Sequence, residues 1–235
     1  MMREGIIFSG PMVRAILAGR KTQTRRVIKP QPQSEINPVW IEDAEAWQWA
    51  STASRQQCPY GQIGDELWVR ETWAQGPPLN DGCPSCRIAY RADGRCVGIG
   101  SDGVGRSLFV QHGWIQGVAD TSLCGTFVGL GRYGGKWRPS IYMPRWASRL
   151  TLRLTAVRVE RLQDISEDDA IAEGVEVSAG NIKAAELFAE TRPDLLRIAP
   201  AQQAFCELWD SINSKRGYAW DTNPWVWVLT FEVTK

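Results

Sequence analysis

Histidine is almost missing from this chain: among 235 residues there is one, His112. A Ser-His-Asp relay needs an imidazole between nucleophile and acid, and His112 stands in a glycine-rich stretch, so that kind of hydrolase is set aside. Long apolar runs are missing too. None approaches the ~20 residues of a membrane-crossing helix, and the first residues lack the continuous apolar core of a signal peptide. Both absences predict a cytoplasmic protein with no membrane partner. Net charge is close to nil, at +1, which argues against wholesale coating of nucleic acid and leaves room for one basic groove. Six cysteines in a chain of this size do not demand a disulfide framework, and a reducing compartment leaves them as thiols or metal ligands.

A local lack of acid carries more meaning. Between Gly5 and Ser34 there is no Asp or Glu, while Arg14, Arg20, Lys21, Arg25, Arg26 and Lys29 all fall there. Six cations against +1 overall leave the remainder at −5, so this opening segment forms an electropositive patch that concentrates anions such as phosphates. Within it, Lys21 precedes Thr24 by three residues, a pairing that can activate a hydroxyl.

What is present reads as one domain with a large insertion. Ile6 to Phe8 is a short strand; Pro11 opens a helix, and Gly19 fits its left-handed stop. Leu67 to Trp73 is strand-like after the turn signal Gly64-Asp65. Residues 77–140 hold 13 of the 22 glycines and four cysteines, which predicts loops and hairpins in place of a second core. Leu150, Leu152 and Leu154 alternate at even positions, and Val157 and Val159 continue at odd ones, so a β-bulge is expected near Ala156. Ser166 caps a short helix that Gly174 ends; Ala201 to Asn213 is a longer helix with Phe205, Leu208, Trp209 and Ile212 as its stripe. Trp225 to Val233 is an apolar strand. Regular βαβ alternation is absent, which favours a small mixed barrel over a doubly wound sheet.

The run Gly19-Arg20-Lys21-Thr22-Gln23-Thr24-Arg25-Arg26 resembles the ASCH family, whose signature is Gly-x-Lys-x-x-Glu-x-Arg. Gly19, Lys21 and Arg26 match, and Thr24 stands where Glu is commonest. In that departure it is similar to the N4-acetylcytidine amidohydrolase branch. The segment from Ile165 to Glu173 resembles the helix that completes the site there, with Glu173 at the corresponding position. Gly64 to Glu71 and Asn223 to Val228 look like the larger, phage-associated ASCH proteins. The resemblance implies an α+β, PUA-like β-barrel that binds RNA or a modified nucleoside. It implies a metal-independent amidohydrolase for N4-acylated cytidine if the chain is an enzyme, with Lys21, Thr24 and Glu173 catalytic. A non-catalytic RNA or modified-base module, a ribonuclease, and a phage–host interaction protein working through 77–140 stand beside that reading.

In the catalytic version Lys21, made neutral by burial or by Arg25 and Arg26, deprotonates Thr24, and Glu173 positions the amine or carries a proton. Residues three apart on a strand face opposite ways, so Lys21 must lie off the strand for this to work. Arg25, Arg26 and Arg70 are candidate contacts for phosphate or carboxylate, with Glu71 and Trp68 beside them. Twelve tryptophans are unusual; most read as core, with one or two free to stack on a base. Cys83 and Cys86 have half of a zinc spacing, for which Cys58, Cys96 or Cys124 are potential partners, but free thiols are the simpler reading and no cofactor is expected. Gly98 to Gly103 matches G-x-G-x-x-G without the strand and helix start a dinucleotide fingerprint requires.

Overall fold

A computed structural model describes residues 2–32, 38–41, 46–48, 55–75, 86–93, 96–101, 107–112, 137–180, 182 and 199–234. Its strands are β1 (Met2–Ile7), β2 (Gln23–Val27), β3 (Val39–Ile41), β4 (Ala46–Gln48), β5 (Arg55–Gln56), β6 (Glu66–Arg70), β7 (Trp73–Gln75), β8 (Cys86–Tyr90), β9 (Cys96–Ser101), β10 (Ser107–His112), β11 (Thr151–Arg161) and β12 (Trp225–Val233). The α-helices are α1 (Gly10–Leu17), α2 (Glu167–Ala172) and α3 (Pro200–Asn213). The class is α+β. Five strands form a sheet in the order β1-β6-β11-β12-β2, four another in the order β10-β9-β8-β7, and β3-β4-β5 a third. Among the described residues the five-stranded sheet is open at both ends, with no closed barrel.

Contacts divide the chain into two units. The first comprises Met1–Glu4, Ala15–Leu67 and Leu152–Lys235. Its centre is β12, where Trp225 to Leu229 are all buried, as expected of a strand paired on both edges and covered on both faces. β12 runs antiparallel to both β11 and β2. Val226 and Val228 share one face and pack with Leu162, Ile165, Phe205, Trp209 and Trp220. Each such aliphatic side chain contributes about 1.5–3 kcal/mol on burial. The stripe of α3 is narrower than its spacing suggested: Phe205 and Trp209 are buried, whereas Ile212 is exposed.

The expected break in β11 is present. Leu154 pairs with Phe231 and Ala156 with Thr230, leaving Thr155 as the extra residue of a bulge. Leu152 and Leu154 are buried before it and Val159 after it, so the parity change in the sequence is the bulge itself.

The second unit comprises Gly5–Arg14 and Trp68–Thr151. Its described part of 77–140 forms the antiparallel hairpins β7–β8, β8–β9 and β9–β10, in keeping with the glycine-rich composition. Trp73, Ile88, Tyr90, Met143 and Ala147 make its small core. Gly5 is needed for close approach: a Cβ there would lie 2.7 Å from the Trp68 ring and 2.6 Å from Arg70 Nε.

Candidate functional site

Lys21 owes its position to a helix ending. Gly19 adopts φ 71°, a conformation that costs glycine little, and the N–H groups of Arg20 and Lys21 both donate to the Ala15 carbonyl that ends α1. Thr22 N–H then donates to Ala172 O and Phe231 N–H to Thr22 O, so Lys21 lies just before β2, off the strand. Glu173 is placed the same way from the other side. Ser166 Oγ accepts the Asp169 N–H at the start of α2, Glu173 is its C-cap residue, and Gly174 ends it with φ 80°.

The two meet across 152 residues of chain. Lys21 Nζ donates to Glu173 Oε2 at 2.7 Å, to Glu173 O at 2.8 Å and to Gln23 O at 2.7 Å, and both side chains are buried. Arg25 completes the cluster. Its Nη1 donates to Gln23 Oε1 at 2.6 Å and reaches Glu173 Oε1 at 3.4 Å; its Nη2 donates to Asp169 Oδ2 at 2.8 Å and Glu160 Oε2 at 3.2 Å. Arg158 bonds the same two outer acids, Glu160 at 3.0 Å and Asp169 at 3.2 Å, and the Arg25 guanidinium lies 5.9 Å from the Phe205 ring. Asp169 and Glu173 are four apart on α2, a spacing at which like charges repel; Arg25 serves both and removes the penalty.

The protonation state follows from the acceptors. Burial pulls the Lys21 ammonium below the ordinary lysine value, against the charge and hydrogen bond of Glu173, with Arg26 and Arg25 adding to the downward push. Three oxygens around Nζ nevertheless require three N–H donors, which only the ammonium supplies. A lone pair for proton abstraction is therefore not on offer in this arrangement. Partial burial raises the Asp169 carboxyl, but bonds from Arg25 and Gln23 and the charge of Arg158 outweigh it and hold Asp169 below the usual carboxylate range. A carboxylate with a depressed folded pKa adds stability above its unfolded pKa of about 3.9 and loses it as pH falls through the folded value. The urea midpoint is therefore expected to fall more steeply below about pH 4 in the parent than in Asp169→Asn.

Gly174 closes the packing around Lys21. A Cβ on it would lie 2.8 Å from Lys21 Cβ and 3.0 Å from Ala15 Cβ. Gly174→Ala is expected to cost about 1–3 kcal/mol for the left-handed backbone alone, with more from the overlap, measurable as a lowered thermal midpoint.

Thr24 and Arg26 take the other face of β2. Alternation along the strand sets them opposite Gln23, Arg25 and Val27, in register with Leu229 and Trp227 of β12. Thr24 is buried there, while burial pulls the Arg26 guanidinium down and Tyr60 and Glu173 pull it up. Lys21 and Glu173 thus converge, and Thr24 faces away from Arg25, which shares Glu173 with them.

Arg70, Glu71 and Trp68 belong to the second unit. The Arg70 guanidinium covers the Trp68 ring at 4.6 Å. Glu71 is fully buried and gripped by Arg149, whose Nε and Nη2 donate to its two oxygens at 2.8 and 2.9 Å, while Nη1 donates to Asp93 at 2.8 Å. Burial raises the Glu71 carboxyl and Arg149 opposes it; the two-pronged bond requires the carboxylate. Arg149 also stacks 4.0 Å from the Tyr90 ring centroid. Sequence reasoning missed Arg149 and Asp93, which no local spacing links to Glu71. It also missed Asp169, Glu160 and Arg158, for which the i, i+4 relation to Glu173 and the parity after the bulge were usable signals.

Among the described residues no group of three or more His, Cys, Asp and Glu side chains is placed to hold a metal ion. Cys58 is half-buried and in no disulfide; Cys83 and Cys124 lie outside the described residues, and of Cys86 and Cys96 only the strand backbone is described. The G-x-G-x-x-G glycines from 98 to 100 sit in β9, and Gly103 lies outside the described residues. No described helix is long and apolar enough to cross a membrane. No family model, curated protein or solved structure matches this chain.

Proposed function

We propose that this chain is an ASCH-type, PUA-like protein that binds RNA or a nucleoside, with Lys21, Arg25 and Glu173 as a fixed ionic framework and Arg26 as a contact to the ligand. The supporting observation is the 2.7 Å bond between Lys21 and Glu173, the residue that the family resemblance singles out on a helix far along the chain. A fully donated ammonium favours binding over proton abstraction, because it has no lone pair to act as a base.

The amidohydrolase reading draws on the same pair and on the downward shift at Lys21, and it needs Lys21 to leave one acceptor and Thr24 to reach the ligand. Titration calorimetry with cytidine and N4-acetylcytidine, with chromatography for released acetate, tests both. The expected result is nucleoside binding, weakened in Arg26→Ala, with no acetate formed. Acetate release that disappears in Thr24→Ala shifts the conclusion to the hydrolase, and no binding of nucleoside or RNA by the parent protein rejects the proposal.

A further inference from the structure

The second unit carries a surface that this reading does not use. From 137 to 151 the sequence has Arg138, Arg145 and Arg149 and no Asp or Glu; Arg149 is engaged by Glu71 and Asp93, which leaves Arg138 and Arg145 to the surface, and the segment 137–146 exposes three large apolar side chains. Ile141 is 58% exposed, Tyr142 71% and Trp146 52%. They ride on two short 3-10 turns, Ser140–Tyr142 and Arg145–Ala147, each entered through an extended proline, Pro139 and Pro144. Met143 and Ala147 pin the turns into the core, so the exposed rings are displayed on an anchored backbone. Trp146 packs edge-on to buried Trp73 at 6.0 Å. The exposed Arg138 guanidinium lies 5.2 Å from the centroid of that same Trp73 ring, and Arg145 lies 5.9 Å from the centroid of Trp68.

We propose that 137–146 is a stacking platform for single-stranded nucleic acid, with Trp146 and Tyr142 receiving bases and Arg138 and Arg145 facing the phosphates. Rigid exposed aromatics beside arginines are the chemistry by which unpaired strands are held without sequence preference. Arg138 and Arg145, with no Asp or Glu between 137 and 151, select a polyanion over a protein partner of ordinary composition. Because a π-face accepts any base, the platform takes RNA and DNA strands alike; it stands independently of nucleoside binding at Arg26.

Fluorescence anisotropy with labelled decamers of oligo-U and oligo-dT, and with a duplex of the same length, tests this. Both single strands are expected to bind and the duplex to bind more weakly. Trp146→Ala is expected to weaken strand binding on the order of tenfold, with Trp146→Phe retaining most of it and Tyr142→Ala showing a similar loss. Arg138→Ala is expected to lower the salt slope by about one. Thermal melting confirms folded variants, and cytidine binding remains at the parent level in all of them. No strand binding at low salt, equal binding by parent, Trp146→Ala and Tyr142→Ala, or a Trp146→Ala variant that loses only self-association in sedimentation overturns the platform. Loss of cytidine binding in Arg26→Ala without loss of strand binding separates the two sites.

Discussion

Glu173→Ala is expected to lower the unfolding free energy by about 3–5 kcal/mol, the cost of stripping one partner from a buried ion pair. Lys21 would keep two carbonyl acceptors, Gln23 O and the main-chain oxygen of residue 173, but its charge would remain buried without the Glu173 carboxylate. Arg25 would retain Asp169 and Glu160, so the loss centres on Lys21. Glu173→Gln keeps an oxygen acceptor and is expected to cost less. The double variant Lys21→Met/Glu173→Leu removes both charges and is expected to recover much of the stability, since apolar replacement of a buried pair is often neutral. Urea denaturation of the four proteins measures this. If Glu173→Ala and the double variant are equally unstable, the cost is packing and not an orphaned ammonium.

Arg149→Ala is expected to be comparably severe, at about 3–5 kcal/mol. It would leave Glu71 buried without its two-pronged partner, free Asp93, and remove the guanidinium that stacks on Tyr90. Arg149→Lys tests the geometry separately from the charge. A single ammonium cannot span both Glu71 oxygens and also reach Asp93 along the directions a planar fork provides, so it is expected to recover only part of the loss. Full recovery in Arg149→Lys, read from the urea midpoint, would mean that charge alone matters there.

Local signals in the sequence carried most of the elements. Gly19 and Gly174 both take the left-handed conformation that their places after apolar stripes required, and Ser166 caps α2 through its hydroxyl. The bulge near Ala156 was readable from five aliphatic residues. The Lys21–Glu173 meeting came from resemblance, because no spacing rule connects two residues that distant. The pleat required Lys21 to lie off the strand if it was to work with Thr24, and β2 does begin only at Gln23. Alternation along β2 then sets Thr24 beside Leu229 while Arg25, one residue on, goes to the acids. Arg149 was hidden. A lone arginine between a helical turn and a strand gives no sign that it closes on Glu71, 78 residues earlier.

Thr155 sets a phase for the strand it interrupts. Ahead of it even numbers face the apolar packing; beyond it Val159 does, and the even-numbered Arg158 and Glu160 stand beside Arg25 and Asp169. Deleting Thr155 would remove the extra residue and leave Leu152, Leu154, Val157 and Val159 on one face of an unbroken ladder with β12. Removing two residues would set one half against the other, because holding either in place turns the other inside out. The deletion tolerated between Leu154 and Val157 should therefore be a single residue, which a small deletion library scored for folding can read directly.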